Sequence, residues 1–211
     1  MNVIKVILVV VFLNLCACYG YASSRIKLNF DFDWKFSLTD NPGYAAIDYS
    51  DANWEQVQLP HDWNIKQKFD RKGIGSAAYL PEGIGWYRKT FFVPQSYKGK
   101  TVSILFDGIF QQSDVYINGK HLGHRPYGFC SIEYDLTPYL HTGKENVIAV
   151  RVNTTGGRPR WYAGAGIYRH VWLTAANPVH VATYGTYITT PEATEDHADV
   201  KIVTTVSNQS D

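Results

Sequence analysis

The sequence predicts an all-β protein whose main domain is an antiparallel sandwich or barrel. Apolar and polar residues alternate in several short runs, and turn residues separate these runs at short intervals. Asn118 and Gly119 form a pair that strongly specifies a tight hairpin, because both central residues of that turn need a positive φ. No long segment has the 3.6-residue period of an amphipathic helix. Together, these observations indicate short antiparallel strands.

The first 22 residues have the pattern of a secretory signal peptide. Lys5 precedes an apolar run at residues 6–15, which is too short for a stable membrane span, and small residues follow it. Two kinds of processing fit this pattern: cleavage after Ala22, or lipid attachment at Cys18 as in a bacterial lipoprotein. Both predict an exported chain, periplasmic or extracellular, with a membrane link only through such a lipid anchor.

The mature domain, residues 23–177, begins with a predicted strand. Five apolar residues alternate with polar ones in it: Leu28, Phe30, Phe32, Trp34 and Phe36. Asp31 and Asp33 share the opposite face, and a carboxylate pair can serve as acid and base. We expect two solvated surface charges instead, because the sequence shows nothing that would bury them or raise a pKa.

The next segment is irregular. Pro60 ends a short extended piece, and the following His61 and Asp62 are expected to form a turn with a capping role, since neighbours on extended backbone point to opposite sides. Residues 67–85 contain two Gly-x-Gly pairs but lack the strand and helix of a phosphate loop, so they predict a surface loop.

The remainder of the chain is regularly β. Predicted strands lie at residues 86–93, 101–106, 113–117, 121–125, 129–134, 146–152 and 167–173. Asn177 and Pro178 mark a domain boundary. Residues 178–211 contain two more predicted strands, at 179–190 and 199–206. Because about thirty residues cannot bury a core of their own, we expect a truncated start of a second domain.

Composition excludes some classes of function. Twenty basic and nineteen acidic residues give a net charge of +1 without blocks of like charge, which does not indicate a nucleic-acid partner. Cys130 is the one cysteine outside the signal region, so no intrachain disulfide framework is expected, and its context predicts a small buried hydrophobe. His121 and His124 have the spacing of a metal pair but no third ligand, so surface positions are expected. We predict no metal and no cofactor.

The stretch at residues 158–171, RPRWYAGAGIYRHV, predicts a structured loop that leads into a strand. Trp161 and Tyr162 stand beside Gly164 and Gly166, which permit a tight or positive-φ backbone. Arginine next to tryptophan supplies a fork of donors and a flat apolar face. That combination suits a sugar, and it equally suits a buried contact between domains.

Six blocks of sequence follow one another in an order that resembles a known family. They are LPHDW at 59–63, GIGWYRKTFFVP at 83–94, LFDGIFQQSDVYINGKHLGHRPYGF at 105–129, YDLTPYL at 134–140, NVIAVRV at 146–152 and RWYAGAGIYRHVWL at 160–173. In this order they resemble the N-terminal sugar-binding domain of family 2 glycoside hydrolases, the β-galactosidase and β-glucuronidase group. The resemblance covers nearly all of residues 25–177.

The resemblance implies a jelly-roll β-sandwich, followed by an immunoglobulin-like sandwich and a TIM barrel. It also implies retaining hydrolysis by two glutamates about 5 Å apart, both in a barrel of about 250 residues. This chain holds no part of that barrel, so no catalytic residue can be named in it and the fragment alone is expected to be inactive. The implied partners are a carbohydrate substrate and the missing domains of the same enzyme.

Four residues are candidate sugar contacts. His170 stands where the better-known β-galactosidases have an aspartate that reaches sugar hydroxyls, and Glu82 falls near a subsite asparagine of those enzymes. An imidazole can make one such hydrogen bond, whereas a carboxylate can accept two. Arg160 and Trp161 are expected either to contact sugar or to pack against the missing domains.

Three functional hypotheses remain after the sequence is read. The leading one is the non-catalytic part of an exported retaining glycosidase of the β-galactosidase type. The second is a stand-alone carbohydrate-binding module at the cell surface. The third is a structural protein without a ligand, which would bury the loop around Trp161 in its own domain, whereas the glycosidase hypothesis predicts an exposed loop.

Overall fold

The computed structural model describes residues 25–156 and 161–210, which fold into strands and short turns of 3-10 helix. In chain order the strands of these residues are β1 (Ile26–Asn29), β2 (Trp34–Ser37), β3 (Glu55–Val57), β4 (Ile84–Val93), β5 (Thr101–Phe106), β6 (Ser113–Ile117), β7 (Lys120–Arg125), β8 (Ile132–Asp135), β9 (Lys144–Asn153), β10 (Val171–Ala176), β11 (Val179–Ala193) and β12 (Ala198–Asn208). Five 3-10 helices lie at Pro42–Ala45, Trp63–Lys66, Gly75–Ala77, Gln95–Tyr97 and Thr137–Tyr139. The all-β prediction is confirmed.

Two antiparallel sheets enclose one core. The smaller sheet has the strand order β1-β10-β5-β8, and the larger has the order β3-β2-β4-β9-β6-β7. Buried side chains from both sheets, among them Ile104 and Leu173 from the smaller and Tyr87 and Val150 from the larger, belong to a single hydrophobic cluster. The main domain is therefore a β-sandwich.

The hairpin between β6 and β7 follows from its two turn residues. Asn118 has a φ of 49° and Gly119 a φ of 78°, as the predicted turn requires. Along β6, Ser113, Val115 and Ile117 are buried while the residues between them are half-exposed. This period of two places one face of the hairpin on the core.

The first predicted strand is wrong in one respect: the chain breaks it into β1 and β2, which belong to different sheets. The break lies around Asp33, which has a φ of 57°, and the indole of Trp34 donates across it to the carbonyl of Phe30 at 2.7 Å. Asp33 is exposed as expected. Asp31 is 3% exposed, so the prediction of a solvated charge is wrong for this residue.

Cys130 is exposed, which corrects the prediction of a buried hydrophobe. The predicted strand at 129–134 begins only at Ile132, so Cys130 lies in the link between β7 and β8 and not on an inward face. Hydrophobic neighbours in sequence misled the prediction, because Phe129 is itself exposed.

The strands β11 and β12 form a separate two-stranded sheet. Ile188 pairs with Ile202 and Val181 pairs with Val206, so these residues share one face, and all four are exposed. Two predicted strands are thus found beyond Pro178. Among the described residues, no helix has the length and apolar character needed to cross a membrane.

A buried charge holds the irregular segment between β2 and β3 against the larger sheet. Arg88 is 1% exposed, and its Nε donates to Asp51 Oδ2 at 3.1 Å. Its guanidinium also donates to three backbone carbonyls, those of Tyr44, Ala46 and Tyr49. Burial raises the pKa of Asp51, but hydrogen bonds from Lys35 and Arg88 outweigh burial, and the net result is a lowered pKa.

Replacing Arg88 should therefore lower the free energy of unfolding far more than replacing Lys35, although both cations bond the same carboxylate. We predict that Arg88→Met lowers the free energy of unfolding by about 3–5 kcal/mol, because it leaves three carbonyls without their side-chain donor and takes the buried cation from Asp51, which keeps only the partly exposed Lys35 as a charged partner among the described residues. Lys35→Met removes a partly exposed partner and should cost at most about 1 kcal/mol. Urea denaturation of both variants measures the difference, and equal losses would contradict the assignment.

Candidate functional site

The described part of the loop that precedes β10, residues 161–170, is held in place by its backbone. Gly166 and Phe110 exchange two hydrogen bonds, each of 2.9 Å, and His61 N–H donates to the carbonyl of Ile167 at 2.8 Å. The loop is thus fixed between the segment that follows β3 and the segment that follows β5. Its shape depends on pairing between parts of the chain that are distant in sequence.

At the position of Gly166, any other residue would clash with its neighbours unless they moved. Its φ is +115°, and a Cβ built there would lie 2.2 Å from the hydroxyl oxygen of Tyr87 and 2.7 Å from the carbonyl oxygen of His61. Both clashing groups are buried, so neither can readily move away. The glycine permits the close approach that seats the loop on the core.

Asp62 links two of these segments. Its Oδ1 accepts from Asn64 N–H at 2.9 Å and so caps the helix Trp63–Lys66, which confirms the predicted capping role. Its Oδ2 accepts from the hydroxyl of Tyr162 at 2.5 Å. Tyr162 therefore anchors the loop.

His61 is buried beside the same loop. Its Nδ1 lies 2.9 Å from the hydroxyl of Tyr87, and its Nε2 is buried without a hydrogen-bond partner among the described residues. Burial lowers the pKa of His61; the positive charge of Lys66 lowers it further, against the opposing charges of Glu55 and Asp62. The neutral imidazole is the form that the fold accommodates.

His170 is fixed by the buried carboxylate of Asp31. His170 Nδ1 lies 2.6 Å from Asp31 Oδ2, and Val171 N–H donates to Asp31 Oδ1 at 2.8 Å. Asn29 Nδ2 donates to Oδ2 at 2.9 Å. The imidazole itself is about half exposed, and its Nε2 has no hydrogen-bond partner within residues 25–156 and 161–210. This arrangement presents a single ring nitrogen, in a fixed orientation, to whatever lies outside the domain.

The other candidate residues are placed by different neighbours. Glu82 is half-buried, and its Oε2 accepts from the N–H of Gly156 at 3.4 Å. Trp161 is 64% exposed, so its indole is available to a ligand or to another domain. Arg160 and Cys18 lie outside the described residues.

Comparison with known proteins identifies the family. The family model for the sugar binding domain of glycosyl hydrolases family 2 matches residues 27–177. This chain belongs to glycoside hydrolase family 2. The resemblance inferred from the six sequence blocks is thereby confirmed.

Curated relatives and solved structures of the family are similar over most of this chain. It is 45% identical over 203 residues to β-galactosidase BoGH2A of Bacteroides ovatus, covering 94% of this chain and 24% of that protein. It is 42% identical over 194 residues to a putative β-glucuronidase of Formosa agariphila, covering 89% of this chain and 18% of that protein. A family 2 structure from Bacteroides cellulosilyticus superposes with a TM-score of 0.83 at 38% identity, covering 87% of this chain and 25% of that one. The chain thus spans about a quarter or less of their length.

Within this family 2 domain, the residue that sequence reasoning missed is Asp31. The sequence gives Asp31 and Asp33 the same setting, on the polar face of one alternating run. Only the fold makes their environments differ, because the chain crosses from one sheet to the other between Asp31 and Asp33.

The histidines of the β6–β7 hairpin lie at the surface, as predicted. His121 and His124 both contact Oδ1 of Asp114, at 3.0 and 3.1 Å, and both are about half exposed. Across the part of the chain that the structure describes, no group of three or more His, Cys, Asp or Glu side chains is arranged to hold a metal ion.

The buried His61 gives the domain a specific response to acid. Because its folded-state pKa is lowered, the unfolded chain takes up this proton first, so acidification through the ordinary histidine pKa of about 6.5 favours unfolding. We predict that the free energy of unfolding falls more steeply between pH 7.5 and 5.0 in the wild type than in His61→Gln, by at most about 1.4 kcal/mol per pH unit. Urea titrations at several pH values measure this.

His121→Gln is the matched control, because it removes an exposed imidazole. It should retain the wild-type pH dependence. The assignment is wrong if His61→Gln and the wild type lose stability in parallel on acidification.

Proposed function

We propose that this chain is the non-catalytic N-terminal portion of an exported retaining β-glycosidase of the β-galactosidase type. The observation that carries the proposal is the 45% identity to the B. ovatus β-galactosidase, which extends over 94% of this chain. The putative β-glucuronidase with 42% identity makes glucuronides the competing substrate class. Export is proposed from residues 1–22, with lipid attachment at Cys18 as one route of processing.

Hydrolysis in this proposal belongs to domains outside this chain. Two glutamates about 5 Å apart in a TIM barrel would act as acid/base and nucleophile, and residues 178–211 would begin the immunoglobulin-like domain that precedes the barrel. The chain alone should therefore bind without hydrolysing. Its contribution would be a wall of the substrate site.

The contacts of His170 support a sugar-binding role for that wall. With Nδ1 bonded to Asp31, the imidazole is oriented before any ligand arrives, so little conformational freedom is lost when Nε2 bonds a hydroxyl. One nitrogen makes one such bond, whereas the aspartate of better-known β-galactosidases can accept two. We therefore propose a single hydrogen bond at this position.

Trp161 and Glu82 would add two further kinds of contact. The exposed indole of Trp161 offers a flat apolar face to the CH face of a sugar ring, and Arg160 would add forked donors beside it. Glu82 can accept from hydroxyl groups. The alternative for Trp161 and Arg160 is a contact with the other domains of the enzyme.

The proposal is tested on the whole enzyme. The DNA downstream of the Asp211 codon would be sequenced and the complete reading frame expressed, then assayed with nitrophenyl β-galactoside and nitrophenyl β-glucuronide. We expect hydrolysis of the galactoside and none by the 211-residue chain. Hydrolysis of the glucuronide alone would refute the galactosidase assignment, and a stop codon directly after Asp211 would favour a stand-alone binding module.

The same enzyme tests the sugar contacts. His170→Ala and Trp161→Ala should each lower kcat/KM by about tenfold, the equivalent of one hydrogen bond or stacking contact. Phe92→Ala, which truncates an exposed aromatic residue on β4, is the control and should leave kcat/KM unchanged. If both site variants match this control, neither residue contacts the substrate.

A further inference from the structure

A second set of exposed residues, none of them among the four candidate sugar contacts, lies in the loop between β3 and β4. Phe69, Arg71 and Tyr79 line an open cavity of about 330 Å³. We call residues 68–79 the basic aromatic loop. A volume of this size lies in the range of small-ligand sites, which is about 300–1,000 Å³.

Hydrogen bonds give the basic aromatic loop a defined shape. Asp70 N–H donates to the carbonyl of Tyr79 at 2.8 Å, Gly73 N–H donates to the carbonyl of Asp70 at 2.8 Å, and Tyr79 N–H donates to the carbonyl of Ile74 at 3.1 Å. Ala77 is buried and anchors the loop on the domain. The Asp70–Tyr79 bond holds the two aromatic residues on adjoining lengths of backbone.

The two aromatic side chains are open to solvent. Phe69 is 75% exposed and Tyr79 is 49% exposed. Exposed single aromatics need no explanation, but here two of them border one cavity together with an arginine. An aromatic face can stack on the CH face of a sugar, and a guanidinium can donate two parallel bonds to a carboxylate or a sulfate.

The positive charge of the basic aromatic loop favours acidic sugars over neutral ones. Lys68, Arg71 and Lys72 against Asp70 give residues 68–72 a net charge of +2, although the whole chain carries only +1. Asp70 Oδ1 already accepts from the N–H of Lys72 at 2.9 Å. Within the described residues, no ion pair engages the three cations, whereas the neighbouring Lys66 is paired with Glu55. All three cations are exposed; Arg71 lines the cavity, and Lys68 and Lys72 lie close to it in sequence.

We propose that the basic aromatic loop binds an acidic oligosaccharide, one whose sugars carry carboxylate or sulfate groups. Arg71 bonds the acidic group, Phe69 and Tyr79 pack on the faces of the sugars, and Lys68 and Lys72 add attraction along the chain. The site uses none of Trp161, His170, Glu82 and Arg160, and its occupation does not depend on hydrolysis. The substrate of the enzyme would then be an acidic polysaccharide or a branch cut from one.

The experiment compares acidic sugars with neutral sugars of the same backbone, which lack the carboxylate or sulfate groups. The 211-residue chain, labelled with ¹⁵N, is titrated with a β-1,4-mannuronate hexasaccharide and with β-1,4-mannohexaose, and likewise with sulfated and unsulfated galactan hexasaccharides. We expect at least one acidic sugar to shift the amide signals of residues 68–79. Its affinity should exceed that of its neutral counterpart by at least tenfold and should fall as salt rises from 50 to 500 mM.

Variants locate the binding. Arg71→Gln and Tyr79→Ala should each lower the affinity for the acidic sugar by at least tenfold. Lys98→Gln changes an exposed lysine outside this loop and should leave that affinity unchanged. All three positions are exposed, and matching thermal melting curves would show that the fold is retained. Galactoside hydrolysis by the complete enzyme is a separate readout, so failure of the sugar titration and failure of the glycosidase assignment are distinguishable.

Three outcomes would overturn the proposal. In the first, neither acidic sugar shifts the signals of residues 68–79. In the second, the neutral sugars bind as tightly as the acidic ones, which would remove the role of the charge. In the third, a single-stranded oligonucleotide binds the loop more tightly than either acidic sugar, since basic and aromatic residues also suit that ligand.

Discussion

The sandwich and its candidate site both depend on the hydrogen bonds that the buried carboxylate of Asp31 accepts. A carboxylate taken out of water is tolerated only when hydrogen bonds replace its hydration. Asp31 receives them from Asn29 at the end of β1, from the backbone of Val171 at the start of β10 and from the ring of His170. Its backbone carbonyl accepts from Leu59 N–H at 2.8 Å, just after β3. One residue thus ties the smaller sheet, the edge of the larger sheet and the exposed imidazole together.

The loop before β10 extends this arrangement to the rest of the site. Gly166 lets the backbone approach Tyr87 and His61, and Tyr162 bonds Asp62, so the loop is fixed by buried groups. Trp161, the neighbour of Tyr162 in sequence, is exposed. The rigid sandwich and the exposed loop serve different purposes: the first supplies stability, and the second supplies groups that a ligand or another domain can contact.

Local sequence patterns predicted much of the fold because turns and strand alternation depend on the preferences of neighbouring residues. The Asn118–Gly119 turn and the alternation along β6 needed only backbone preferences and a period of two. The burial of Asp31 could not be predicted in the same way, because it results from the crossing between sheets. The exposure of Cys130 was missed for a related reason: an apolar local sequence does not say whether a strand is present.

Candidate site residues were harder to predict, since their partners are distant in sequence. His170 and Asp31 are 139 positions apart, and Glu82 and Gly156 are 74 positions apart. The six-block resemblance named His170 and Glu82 by position, but it could not say what holds either of them. Their roles as sugar contacts, with those of Trp161 and Arg160, remain predictions that the enzyme assay must test.

The most direct test of the account is the position of the proton on the neutral imidazole of His170, measured by ¹⁵N nuclear magnetic resonance at alkaline pH. If Asp31 orients the ring, the proton lies on Nδ1 in the wild type and Nε2 is the free acceptor. In Asp31→Asn this preference should weaken. A wild-type ring with its proton on Nε2, or one indifferent to Asp31→Asn, would contradict the claim that the buried carboxylate holds the site.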